Sequence, residues 1–318
     1  VIDALTLDAV RAAAERIAPH VVRTPALALE VPAAGSARAE LSCKAECLQP
    51  VGAFKLRGAF SLMTTLPADV PGVVAHSSGN HAQAVAAAAA RLDLHAVIVM
   101  PDDAPALKRA RTEAWGAEIV TVGPDSDERV ARADALAAER GLVPIPPYDH
   151  PLVAAGQGTC ALELLEDVGP LDRLYAPVSG GGLMAGCAIA AHGLFPGVEL
   201  IGVEPEDGDD TRRSLATGER VAVDPPRTIA DGLRVRRPGA LTFPVLQRHL
   251  DRVETVTDEE LLDAMALALG TLRVVLEPAG AAALAVARRE ARGRCGVILS
   301  GGNVEPALLA RVAARAAT

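Results

Sequence analysis

Aromatic side chains are scarce in this chain: one Trp, two Tyr and four Phe among 318 residues, 2% in all. That scarcity argues against aromatic binding platforms, and the alanine that dominates instead favours tightly packed helices. Clustered cations are missing too. Thirty-one Lys and Arg face 40 Asp and Glu, a formal charge of −9, with no basic run interleaved with aromatics. Phosphate backbones need such clusters, so the composition argues against nucleic acid as a partner. Paired cysteines are also absent. The five, Cys43, Cys47, Cys160, Cys187 and Cys295, are odd in number and form no C-x-x-C. A disulfide framework or zinc site is not expected, and a reducing, cytoplasmic setting is. The longest apolar stretch, Ala84–Ala90, is far too short to span a bilayer. The amphipathic segment Thr6–Ile17 carries Asp8 and Glu15 and lacks the basic start and apolar run of a signal peptide. No membrane partner is expected.

What is present is an alternating pattern. Apolar segments bounded by turn residues predict strands at Gly72–Ser77, Ala96–Met100 and Glu118–Val122. Helical patterns follow each, at Asn80–Leu92, Ala106–Trp115 and Asp127–Arg140, the last two stopped by Gly116 and Gly141. After the proline cluster Pro144, Pro146, Pro147 the theme restarts. A helix is predicted at Gly158–Val168, with strands at Arg173–Val178, Leu200–Val203 and Val297–Leu299. Thr257-Asp258-Glu259-Glu260 is a capping box opening a helix to Leu269. Strand–helix repeats of this length imply α/β architecture with parallel sheets flanked by helices. Two domains are expected: a small, mobile one over 72–149, and a large one made of 1–71 and 150–318.

Lys55 sits between Phe54 and Leu56, after a Gly-Ala turn. A lysine desolvated there loses pKa and becomes a nucleophile of the kind that forms Schiff bases. The alternative is a surface lysine whose stem lies along an apolar face. Three loops follow predicted strands, where open α/β sheets bind ligands. Ser77-Ser78-Gly79-Asn80-His81 offers hydroxyls, an amide and helix-start N–H groups for a carboxylate, or is a simple N-cap. Ser179-Gly180-Gly181-Gly182-Leu183 precedes a small-residue helix, Met184–Ala191. Consecutive glycines let backbone approach an anion, and the helix N-terminus favours it. No P-loop lysine follows and Gly-x-Gly-x-x-Gly is absent, so a phosphate monoester fits better than a triphosphate. Ser300-Gly301-Gly302-Asn303 brings a hydroxyl suited to a ring nitrogen. Glu204, Gly208 and Asp210 form a loop of hard oxygen ligands for Mg²⁺ or Ca²⁺, or a solvated acidic turn.

A lysine nucleophile, a monophosphate cradle and a ring-nitrogen partner together suggest pyridoxal phosphate. The same segments, with Lys44–Ala59, resemble the motifs of the serine/threonine dehydratase and serine racemase family, in its order and spacing. The resemblance covers nearly the whole chain. It implies the tryptophan-synthase-β fold, known as fold type II: two open twisted sheets flanked by helices. It also implies a homodimer.

Residue by residue, it implies that Lys55 binds the cofactor as a Schiff base and Phe54 packs beside it. Asn80 meets the cofactor's 3′-hydroxyl, Ser179, Gly180, Gly181, Gly182 and Leu183 hold its phosphate through N–H groups, and Ser300 faces the ring nitrogen. Ser77, Ser78, Gly79 and His81 take the amino-acid carboxylate, and Ser78 is the opposite-face acid/base of racemising members. Glu204, Gly208 and Asp210 match a divalent-metal site (Mg²⁺, or Ca²⁺ or Mn²⁺). Arg129 matches an arginine that meets a second substrate carboxylate, or is a solvated charge on its helix. Val51 and Ala53 depart from the family's usual Thr/Ser and Ser.

The expected activity is β-elimination from L-threonine or L-serine, giving a 2-oxo acid and ammonia. Serine racemase and threo-3-hydroxyaspartate ammonia-lyase are the alternatives. A non-catalytic phosphate- or amino-acid-binding protein is disfavoured, because binding alone does not need the Lys55 amine.

Overall fold

A computed structural model describes residues 4–32, 38–104 and 106–316. Two sheets organise it. The first has six strands, ordered β1 (Ala26–Pro32), β2 (Arg38–Lys44), β10 (Arg294–Ile298), β7 (Arg173–Pro177), β8 (Glu199–Pro205) and β9 (Arg252–Val256). All neighbours are parallel except β1 and β2. The second has four parallel strands, ordered β5 (Glu118–Val122), β4 (Ala96–Pro101), β3 (Val73–His76) and β6 (Val143–Pro144). A parallel strand covered on both faces needs a continuous apolar run, and every residue of β4, Ala-Val-Ile-Val-Met-Pro, is buried.

Helices flank both sheets. The second sheet carries α3 (Asn80–Arg91), α4 (Ala106–Glu113) and α5 (Ser126–Arg140). Its core also takes in Leu56, Phe60 and Met63 of α2 (Lys55–Met63), so packing crosses the expected division at residue 72. Around the first sheet lie α1 (Leu7–Ile17), α6 (Pro151–Val168), α7 (Gly182–Leu194) and α11 (Pro278–Glu290). The capping box at Thr257 is formed and opens α10 (Asp258–Leu267). The Thr257 hydroxyl accepts the Glu260 N–H, and the Glu260 carboxylate accepts the Thr257 N–H.

The small-residue composition has a direct structural use. A Cβ on Gly186 of α7 would lie 2.1 Å from the Ala154 carbonyl of α6, and one on Gly156 would lie 2.5 Å from the Ser61 Cβ of α2. Glycine there lets three helices approach backbone to backbone. The same glycines explain a misplaced boundary. The helix expected from Gly158 begins at Pro151, behind a His150 cap, because tertiary packing overrides the helix-weakening of Gly156 and Gly158. Beneath α2 lies a buried ion network, in which Arg57 pairs with Glu46 and Glu163, and Lys44 with Glu163. Burial opposes each charge, but the paired charges outweigh it, holding the Glu46 carboxyl low and the Arg57 guanidinium high. That network anchors the helix whose first residue is Lys55. Among the described residues no helix is long and apolar enough to cross a membrane.

Candidate active site

A cavity of about 520 Å³ opens where the C-terminal ends of the strands of both sheets face each other. Lys55, Ser78, Asn80, the glycine loop, Arg129 and Ser300 all line it. The topology thus joins residues from distant stretches of sequence.

Lys55 is the first residue of α2, and its Nζ donates to the Pro147 carbonyl at 2.6 Å. Burial without a carboxylate partner pulls its pKa from 10.5 to about 8. The Phe54 ring lies 5.1 Å from that amine. Lys44, Lys55 and Lys108 are the three lysines of the chain. Lys44 is fully buried on Glu163 and the Thr24 carbonyl, and Lys108 pairs with Asp231.

The turn before Lys55 is zipped to the Ser300 loop. Phe54 N–H donates to the Ser300 carbonyl, Gly302 N–H to the Gly52 carbonyl, and the Asn303 amide to the Val51 carbonyl. Val51 and Ala53 contribute backbone to this contact, and their side chains are buried. The Ser300 hydroxyl lies 3.4 Å from the Ala279 carbonyl.

The glycine loop is strained where it turns. Ser179 has φ 54° and Gly181 φ 92°. A non-glycine residue in the left-handed region is uncommon, and Ser179 shares it with Asp93 and Arg273. Gly181 N–H is already given to the Val178 carbonyl, so that amide is not among the free donors expected of the loop. The N–H groups of Gly182 and Leu183 belong to the first turn of α7 and have no intrahelical acceptor.

Tyr148 joins the site without any mark in the sequence. A Cβ on Gly180 would lie 2.5 Å from its ring, so the ring covers the loop. Its neighbours complete a brace: Pro147 holds Lys55, and the Asp149 carboxylate accepts the Ala240, Leu241 and Thr242 N–H groups. Thr242, opening α9 (Thr242–His249), donates its hydroxyl to the Gly180 carbonyl at 2.7 Å. The proline cluster is the one sequence signal for this segment, and by itself it implies only a break.

In the Ser77–His81 loop the residues part ways. Ser78 and Gly79 line the cavity, whereas the Ser77 hydroxyl accepts the Gly79 N–H and Ser77 does not line it. His81 lines it too, but its Nε2 donates to the Ile145 carbonyl at 2.8 Å. Burial and then the Lys55 charge push its pKa down to about 3, leaving a neutral imidazole. Asn80 donates to Glu277 Oε1 at 2.5 Å and accepts from Asn303 at 2.8 Å. Glu277, also missed in the sequence, is raised to about 7 by burial and then by Asp231. Arg129 is half-buried on α5 and donates to the Pro124 carbonyl, while lining the cavity wall.

Glu204, Gly208 and Asp210 lie outside the cavity lining, at the end of β8 and the start of α8 (Asp210–Thr217). The Glu204 oxygens accept the Thr211 and Arg212 N–H groups. Burial, helped by the Asp209 charge, raises Glu204 to about 7, and burial, then the Glu204 charge, raises Asp210 to about 8. Asp210 Oδ2 is buried without a hydrogen-bond partner. Among the described residues no three His, Cys, Asp or Glu side chains converge on a metal position. The donor set is two carboxylates and a backbone carbonyl, which suits a hard cation that keeps waters.

Two facing sheets with ligand loops at their strand ends, and a lysine among those loops, define a fold-type II pyridoxal-phosphate enzyme. The family described as "Pyridoxal-phosphate dependent enzyme" matches residues 17–301, and the chain belongs to it. Its relatives there are ammonia-lyases and racemases. L-threo-3-hydroxyaspartate ammonia-lyase of Saccharomyces cerevisiae is 44% identical over 92% of this chain and 91% of its own. Serine racemase of Schizosaccharomyces pombe is 42% identical over 94% of each chain. The crystal structure of T.th. threonine deaminase superposes with a TM-score of 0.88 at 42% identity, over 94% of this chain and 99% of that one.

Proposed function

We propose that this protein removes water from a small 3-hydroxy amino acid, L-serine or L-threonine, releasing the 2-oxo acid and ammonia. The observation that carries this reading is Lys55: an amine with a pKa lowered to about 8, in a cavity shared with Ser78 and a glycine-rich helix N-terminus. Pyridoxal phosphate, when bound, supplies an aldehyde that condenses with amines and a ring that acidifies the Cα–H bond. The Lys55 amine would hold that aldehyde and, when free, would take the Cα proton. The Gly182 and Leu183 N–H groups, with Ser179 and Gly180 of the loop, hold the phosphate. Asn80 and Ser300 orient the ring from its hydroxyl and nitrogen edges. Ser78 receives the substrate carboxylate. The substrate's β-hydroxyl would leave as water with the proton that Lys55 took from Cα, and the released enamine would add water to give the 2-oxo acid and ammonia. Delivery of a proton from the Ser78 hydroxyl to the opposite face of Cα gives racemisation instead.

The rate at which cofactor-free protein takes up cofactor should rise about tenfold per pH unit as the ammonium deprotonates, then level above about 8, where Lys55 is neutral. A rate still climbing at pH 10 means an ordinary lysine. Ser78→Ala should suppress racemisation of L-serine by about 10²-fold and spare elimination; equal losses contradict the opposite-face role. A panel of L-serine, L-threonine and threo-3-hydroxyaspartate, read by oxo-acid product and chirality, tests the substrate. Arg129 on the cavity wall supports the second reading, a dicarboxylic substrate. Preference for 3-hydroxyaspartate lost in Arg129→Met selects it.

We also propose that Glu204, the Gly208 carbonyl and Asp210 hold a divalent cation, Mg²⁺ or Ca²⁺, whose charge compensates two buried carboxyls. EDTA should then lower Tm and Mg²⁺ restore it in the wild type, with no response in Asp210→Asn.

A further inference from the structure

Helix α4 belongs to the second sheet, yet two of its side chains reach across the cavity to the first. Lys108 donates to the Asp231 carboxylate, and both residues line the cavity. Arg111 donates to Asn303 Oδ1 at 3.1 Å. The two cations are three residues apart and share one helix face. Their acceptors are themselves anchored. Asp231 follows Ile229, whose N–H donates to Asp258, and Thr228, whose hydroxyl donates to the same carboxylate at 2.6 Å. Asn303 gives its own amide to the Val51 carbonyl and to Asn80 Oδ1, both at 2.8 Å. Asn80 in turn donates to Glu277 at 2.5 Å. One chain of hydrogen bonds, Arg111–Asn303–Asn80–Glu277, thus crosses the cleft repeatedly and ends inside the cavity.

We infer that α4 is a two-point clasp, and that Lys108 and Arg111 are positioning residues that fix Asn80 and hold the second sheet's unit closed over the site. Neither acts on the reacting atoms. Asn80 has two side-chain partners, Glu277 and Asn303, and Arg111 orients the second of them. The Lys108 side chain is 11% exposed and that of Asp231 41%, and the segment that carries Asp231 is itself tied to Asp258, unlike a loose surface pair. Its position in the cavity wall makes closure and site assembly one event. The functional half of this inference rests on the proposed reaction; the clasp itself does not.

Hydrogen exchange on the full chain without cofactor separates the two. Lys108→Gln and Asp231→Asn should each speed exchange in residues 106–113 by about tenfold, and the double variant no further, because one interaction is lost once. The charge swap Lys108→Asp with Asp231→Lys should restore slow exchange, which a misfolded protein cannot do. With cofactor, Arg111→Gln and Lys108→Gln should raise KM about tenfold while kcat falls less. Unchanged exchange in the single variants, or losses that add in the double, overturns the clasp. Faster exchange with unaltered KM overturns the positioning role. If no substrate turns over while exchange still responds as expected, the proposed reaction fails and the clasp stands.

Discussion

Lys55→Ala will yield a folded protein with turnover reduced by at least about 10³-fold and no bound chromophore. The loss is this large because one amine has two tasks, holding the cofactor and moving the Cα proton. No other side chain can stand in. Lys44 is fully buried beneath α2 on Glu163, and Lys108 is committed to Asp231. The fold will survive, since alanine is the strongest helix former and position 55 opens α2. The ion network on Arg57 that anchors this helix is untouched. An unchanged Tm with lost turnover is the expected pair of results. A coloured, active Lys55→Ala protein would remove the amine from the mechanism.

Gly181→Ala will weaken cofactor retention by about 10²-fold, from two costs that act together. The left-handed backbone at φ 92° costs an L-residue about 1–3 kcal/mol. The added Cβ would also lie 2.7 Å from the Thr242 hydroxyl and 2.9 Å from Leu246. The strain is relieved by shifting the loop, which moves the Gly182 and Leu183 N–H groups away from the phosphate. Gly218→Ala is the matched control. It has φ 78° in the same left-handed region, nothing nearer its Cβ than the Gln247 amide at 3.8 Å, and it lies outside the cavity. That variant should lose a little stability and keep its cofactor. Equal retention in both variants would mean that the loop does not hold the phosphate.

Much of this site was legible because its chemistry is written in short runs. Lys55 between apolar neighbours, three consecutive glycines after a strand, and Ser300 after another needed no tertiary information beyond the rule that ligands meet strand ends. The buried strands β3 and β4 and the half-buried β5 were legible for a similar reason, each being a short, mostly apolar run between turn residues. What stayed hidden depends on contacts between distant residues. Glu277 reads as one more acid before a proline, and becomes part of the site only when Asn80 is folded against it. Tyr148 is one of two tyrosines, unremarkable until its ring covers Gly180. Strands β1 and β2 escaped notice because they alternate polar and apolar residues at the edge of the first sheet. Ser77 and His81, which the resemblance places with the substrate carboxylate, bond through their side chains to the loop's own Gly79 and to Ile145.

The central claim is that Lys55 carries the cofactor. Borohydride reduction of the loaded protein, followed by peptide mapping, tests it with least interpretation, because the chain has three lysines. The account predicts the reduced cofactor on the peptide containing Lys55, and none on Lys44 or Lys108. Label on either of the others, or no label in a protein that still turns over its substrate, would contradict it.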